Sequence, residues 1–94
     1  MTDKPILTQR GGARRSWTNS TWPFERLDVY EDRLVLSGQT IRKGEIEELR
    51  RHKGFFSVGL RIRRKVSNEL LVFWTFNYSA LESALSQAGF AVSR

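Results

Sequence analysis

The chain has 94 residues, a formal net charge of +6 and a hydrophobic fraction of 39%, which suits one small domain with a thin core. It contains no cysteine, so disulfides and thiolate metal sites are excluded, and its single histidine, His52, cannot form a histidine metal site alone. The positive charge favours anionic partners such as nucleic acid, acidic lipid surfaces or acidic proteins, without choosing among them.

The apolar residues are spread along the chain. No run of about 18 apolar residues could span a bilayer, and the first residues lack the long apolar core of a signal peptide. We therefore expect a cytoplasmic protein without a transmembrane segment.

The N-terminal part is polar and basic. The Gly-Gly pair at 11–12 would interrupt a regular element, so the sequence predicts a flexible basic tail over residues 1–20. Trp17 supports an alternative in which a strand near 13–20 docks onto the domain. We expect the folded domain to occupy residues 21–94.

The predicted domain begins with a Trp-Pro-Phe run, and its Trp22 is expected in the core together with Trp74. Apolar and polar residues then alternate over 27–30 and again over 33–37, on either side of an acidic turn. This pattern predicts a hairpin with one buried face. A short third strand is predicted over 39–43.

The middle of the chain is less clear. Residues 45–53 fit either a helix, because two apolar residues are three apart, or a short turn followed by a strand. Residues 60–66 alternate and predict a strand with one basic face. The run at 70–76 is apolar on both faces, which predicts a strand covered on both sides.

The C-terminal segment predicts a helix. Asn77 or Ser79 can cap its first turn, and Gly89 suits the left-handed position after the last turn, with Phe90 packing back on Leu85. The apolar stripe of this helix consists of Leu81, Ala84, Leu85 and Ala88. Strands followed by one terminal helix predict an α+β fold in which the helix packs on the sheet.

Several hydrophobic landmarks recur in a familiar order: Trp22-Pro23-Phe24, Leu34-Val35-Leu36, Ile46-x-x-Leu49, Gly59-Leu60-Arg61-Ile62-Arg63, Phe73-Trp74 and Gly89-Phe90. Over residues 22–90 the chain resembles small bacterial pleckstrin-homology-like domains, which are similar to GRAM domains. The resemblance implies a strongly bent antiparallel sheet, or partial barrel, of six or seven strands closed by one C-terminal helix. It also favours a strand within 45–53.

The resemblance implies no particular ligand. Phosphoinositide-binding members carry lysines and arginines around the loop between their first two strands, whereas the corresponding turn at 30–33 is tight and mostly acidic here. Members of this broad fold also bind peptides or self-associate, and a fold does not fix a function.

No catalytic set, phosphate loop or metal-ligand spacing is present in the sequence, so we expect a protein that is not an enzyme and needs no cofactor. The segment between Leu49 and Asn68 has many cations and no acid. Its candidate partner-binding residues are Arg50, Arg51, Lys53, Phe55, Phe56, Arg61, Arg63 and Lys65.

Four interpretations of this segment stay open. Its cations can form a solvated face that discourages edge-to-edge aggregation. Alternatively, hairpin 49–65 binds a protein partner or a second copy of the chain through its apolar tip. Binding to an anionic membrane lipid is a further alternative, and binding to nucleic acid is the last.

Overall fold

The computed structural model describes residues 4–16, 18–55, 57–67 and 69–93. One short 3₁₀ turn, Lys43–Glu45, precedes the fifth strand. The strands and the helix are, in chain order, β1 Leu7–Arg15, β2 Thr18–Val29, β3 Arg33–Leu36, β4 Gln39–Arg42, β5 Ile46–Lys53, β6 Val58–Arg64, β7 Leu71–Thr75, α1 Tyr78–Gln87 and β8 Val92–Ser93.

All eight strands belong to one sheet with the order β4-β3-β2-β1-β7-β6-β5-β8. Seven of these strands pair antiparallel with their neighbours, and β8 pairs with β5 in parallel. The sheet curls into a half-barrel that carries α1, so the predicted α+β class is confirmed. Within the described residues the sheet has eight strands instead of six or seven, and it is mixed instead of purely antiparallel.

The core lies between the inner face of the curled sheet and α1. Phe73 of β7 is fully buried there, beside Leu81 and Leu85 of the helix. Burial of such side chains stabilises the fold by about 1.5–3 kcal/mol each. The strands contribute the other fully buried side chains, among them Leu27, Val29, Leu34, Leu36, Ile41, Leu60 and Ile62.

Both ends of the helix follow the sequence prediction. The side chain of Asn77 accepts a hydrogen bond from the backbone N–H of Ala80 at 3.2 Å, which caps the first turn. Gly89 has a positive φ of 83°. The N–H of Phe90 donates to the carbonyl of Leu85 at 2.9 Å, as in a Schellman motif, and Phe90 packs in the core.

The predicted hairpin is present as β2 and β3, in which Val29 pairs with Leu34 and Leu27 with Leu36. The third strand is β4. Residues 46–53 form β5 after the short 3₁₀ turn, so the turn-and-strand alternative for 45–53 is confirmed.

A strand replaces most of the flexible tail that the sequence predicts over residues 1–20. β1 lies in the interior of the sheet between β2 and β7, and its Ala13 is buried. The glycine pair marks close packing instead of a break, because a Cβ on Gly11 would lie 1.9 Å from the carbonyl oxygen of Trp74. The sheet therefore includes residues before the predicted boundary at 21. Trp17 lies outside the described residues.

Candidate functional site

An irregularity in the pairing of β1 with β2 shapes the outer face of the sheet, which is the face turned away from α1. Gly11 pairs with Glu25 and Ala13 pairs with Ser20, so residues 21–24 of β2 stand opposite Gly12 alone. Such a bulge carries the extra backbone out of the regular ladder. A Cβ on Gly12 would lie 2.5 Å from the carbonyl oxygen of Ser20, so this crossing requires glycine.

The bulge projects aromatic side chains into solvent. Trp22 is 54% exposed and Phe24 is 77% exposed. The prediction that Trp22 lies in the core is wrong, because the bulge lifts this residue away from the inner face. Its ring packs edge-to-face against Phe76, with the two ring centroids 5.8 Å apart and the ring planes at 70°.

Trp74 lies beside this pair of rings, on the outer face of β7. Its strand neighbours on the two sides are Gly12 of β1 and Gly59 of β6, neither of which has a side chain to cover it. His52 contacts the ring edge-to-face at 5.3 Å, and a Cβ on Gly54 would lie 2.7 Å from the ring. Trp74 is therefore half-buried on the outer face instead of lying in the core.

Trp22, Trp74 and Phe76 line a groove of about 410 Å³, which we call the aromatic groove. Its volume lies near the lower end of the range of about 300–1,000 Å³ that is usual for ligand pockets. The residues that define it here are Gly12, Thr21, Trp22, Ser57, Trp74 and Phe76.

The predicted basic residues do not share one face. Arg50 pairs with Arg61, whereas Arg51 pairs with buried Leu60 and Lys53 pairs with Val58. Because successive side chains in a strand point to opposite faces, Arg50 and Arg61 lie on the outer face and Arg51 and Lys53 lie on the core side, at its exposed margin. The expectation of a single basic face over hairpin 49–65 is corrected accordingly.

The outer face has a different basic group. Arg61 and Arg14 pair with buried Val72 from its two sides, and Arg50 lies beyond Arg61. We call Arg14, Arg50 and Arg61 the arginine row. Over the described ranges, no carboxylate forms an ion pair with any of the three. The Nε of Arg14 donates to the carbonyl of Ser16 at 3.3 Å.

Of the other predicted site residues, Arg63 shares the outer face with Arg61, two positions along β6, and the rest lie elsewhere. Arg63 pairs with Glu47 at 3.4 Å, and the backbone N–H of Lys65, beyond the end of β6, donates to the carbonyl of Glu45. The guanidinium of Arg51 lies 5.7 Å from the centre of the Tyr78 ring. Phe55 is 93% exposed at the hairpin tip, and Phe56 lies outside the described residues.

The arginine row and the aromatic groove are adjacent. Along each strand, a row member lies two positions from a residue beside the groove: Arg14 from Gly12, and Arg61 from Gly59. Two residues of extended chain span about 7 Å. The sequence reasoning missed Gly12, Arg14 and Phe76. The available signal was the alternation of Val72 and Trp74 on the second face of β7, which continues to Phe76 just after the strand.

Glu25 anchors the end of the bulge. Its carboxylate accepts a hydrogen bond from Ser37 at 2.9 Å and pairs with Arg15 at 3.0 Å. Burial raises the pKa of Glu25, but hydrogen bonds from Ser37, Arg15 and Ser20, together with the charge of Arg15, outweigh it and hold the pKa below the usual 4.5. The carboxylate therefore stays ionised and holds β2 where it rejoins the regular ladder.

Within the ranges the structure describes, no cluster of three or more histidine, aspartate or glutamate side chains could hold a metal ion. No described helix has the length and apolar character needed to cross a membrane. Comparisons of the chain with protein-family models, with curated proteins and with solved structures each found no match.

Proposed function

We propose that this chain is a non-catalytic, pleckstrin-homology-like interaction module that binds an acidic protein partner through the outer face of its sheet. The order of the strands along the chain and the single C-terminal helix support the pleckstrin-homology-like assignment. The proposal keeps the expected class of function and moves the contact surface from hairpin 49–65 to the face that this hairpin shares with β7 and β1.

The arginine row carries the proposal. Arg50 and Arg61 stand directly opposite each other, and like charges in that position destabilise a sheet. A bound carboxylate would relieve this repulsion, and guanidinium–carboxylate pairs are strong when they are bidentate. The exposed aromatic rings beside the row supply the apolar area that a protein interface needs at its centre.

Charge favours a different partner over a second copy of the chain. In a two-fold dimer the same patch meets itself, so the two arginine rows would lie in one interface without carboxylates to neutralise them. Burying unpaired charges in this way is strongly unfavourable. An acidic partner has no such penalty.

An anionic membrane is the second candidate, because three aromatic residues project at a loop tip, a bulge and a strand end. Phe55 is 93% exposed, Phe24 77% and Phe76 80%. Rings in such positions can enter the headgroup region, while each nearby cation contributes about 1 kcal/mol of attraction to anionic lipid. A membrane would engage these rings without needing the groove.

The proposal is tested by titrating the isotope-labelled protein with poly-L-glutamate and following backbone amide shifts. We expect shifts on the outer face of β1, β6 and β7 that weaken as salt is added. Arg61→Thr should weaken binding several-fold. Arg63→Thr is the matched control, because it removes an arginine of the same strand that is already paired with Glu47.

Three further probes separate the alternatives. Vesicles of phosphatidylserine and phosphatidylcholine, with phosphatidylcholine vesicles as the neutral control, test the membrane, oligothymidylate tests nucleic acid, and light scattering of the free protein tests self-association. The proposal is overturned if poly-L-glutamate does not bind at low salt, or if Arg61→Thr and Arg63→Thr weaken binding equally.

A further inference from the structure

We infer that the aromatic groove receives one large apolar side chain of an extended acidic segment, in which a carboxylate two residues from that anchor meets the arginine row. This inference rests on the proposed function and specifies the partner's local sequence. The proposed function requires only that the partner is acidic, whereas this inference also fixes the spacing between an apolar anchor and an acidic residue of the partner.

The first step is the shape of the groove. Trp22 and Phe76 pack edge-to-face and form one wall, while Trp74 lies between two glycine neighbours and forms the floor. Apolar surface that is enclosed in this way gains most from an apolar side chain of the partner, because that side chain leaves water on most of its surface.

The second step is the spacing. The arginine row lies two residues along the strands from the line of Gly12, Trp74 and Gly59 that underlies the groove. In an extended segment, side chains two residues apart point the same way and are about 7 Å apart. A segment running along the strand direction therefore places its anchor in the groove and an acid at the second residue on the row.

The third step separates a peptide from nucleic acid. Base stacking needs open ring faces, and single-stranded nucleic acids use such platforms. Here Trp22 and Phe76 contact each other, and His52 and Gly54 pack on Trp74, so the rings wall a groove instead of presenting a flat platform. A branched or aromatic side chain of a peptide fits that shape better than a stacked base does.

The test uses three labelled peptides of about ten residues in a serine and glycine background. The first has the centre Glu-Ser-Leu-Ser-Glu, which serves either chain direction. The second replaces the leucine with alanine. The third, Ser-Glu-Leu-Glu-Ser, has the same composition with its acids moved next to the anchor. Fluorescence anisotropy gives the three dissociation constants.

We expect the first peptide to bind about 10- to 100-fold more tightly than the alanine peptide, which lacks the buried anchor. We expect it to bind about 10-fold more tightly than the shifted peptide, whose acids point away from the row. Phe76→Ala should remove most of the preference for leucine. Phe24→Ala is the matched control, since Phe24 is equally exposed on the bulge but does not line the groove.

Each contrary result has a distinct meaning. Equal binding of the leucine and alanine peptides, with loss in Arg61→Thr, overturns the inference and leaves the proposed function standing. Equal binding of the first and third peptides overturns the spacing. Binding of poly-L-glutamate without binding of any of the three peptides also overturns the inference. If oligothymidylate binds more tightly than every peptide and loses affinity in Phe76→Ala, the groove binds bases instead.

Discussion

The two faces of β7 differ most at the end of the strand near Trp74, although they are built from alternate residues of one strand. Phe73 on the inner face is fully buried against the helix, whereas Phe76 at the end of the outer face is 80% exposed. Both faces are apolar in sequence. The difference shows that the helix covers only one face. On the other face Val72 is buried, but glycine neighbours and a bulge leave the end around Trp74 and Phe76 open as a surface on which a partner can bind.

The largest expected effect is the difference in how much the two faces contribute to the free energy of unfolding. Phe73→Ala should lower the free energy of unfolding by about 3–5 kcal/mol, because it leaves a cavity in the core. Phe76→Ala should lower it by no more than about 1.5 kcal/mol, because the exposed ring contributes mainly its edge-to-face contact with Trp22. Urea denaturation followed by circular dichroism measures both. Similar losses in the two variants would show that Phe76 is part of the core.

Gly12 affects both the stability of the sheet and the shape of its outer face, because the bulge of β2 packs directly against it. Gly12→Ala should lower the free energy of unfolding by about 1–3 kcal/mol, since the new Cβ would lie 2.5 Å from the carbonyl oxygen of Ser20. It should also weaken peptide binding by moving Trp22. Gly44→Ala is the control, because a Cβ there meets no atom within 4 Å. A stable Gly12→Ala protein with normal binding would show that the bulge can move without consequence.

The inner face could be predicted from the sequence, whereas the outer face could be predicted only in part, in the basic side of β6 that carries Arg61. Alternation placed Leu34 and Leu36 correctly, and the capping residues and Gly89 placed the helix, because these signals are local. The role of Gly12 depends on Ser20 across the sheet, and Trp22 is exposed because of a register change that no local pattern encodes. Closeness in sequence suggests that the basic residues form one group, whereas strand geometry sends Arg50 and Arg51 to opposite faces.

The bulge can also be tested by pH. The pKa of Glu25 is lower in the fold than in the unfolded chain, so its ionised form stabilises the fold above about pH 4.5, and this contribution is lost as the pH falls through the lower folded pKa. Glu25→Gln should be less stable than the wild type at neutral pH, and the gap should narrow below pH 4.5. Thermal unfolding across pH 2–7 measures the difference in stability between the two proteins. Its dependence on pH should correspond to the uptake of roughly one proton. A constant gap would exclude the carboxylate's charge as its cause.

The smallest expected effect concerns the arginine row and has the opposite sign. Arg50→Thr removes one of two like charges that stand directly opposite each other, so the free energy of unfolding should rise by about 0.2–1 kcal/mol at low salt. Arg63→Thr breaks the pair with Glu47 and should leave stability unchanged or slightly lower. The gain in Arg50→Thr should shrink with added salt, because screening already weakens the repulsion in the wild type.

A protein that becomes more stable while its affinity for poly-L-glutamate falls would show that the row is kept for binding, since no structural need would then account for it. A loss of stability in Arg50→Thr would instead place Arg50 among the residues that hold the sheet together.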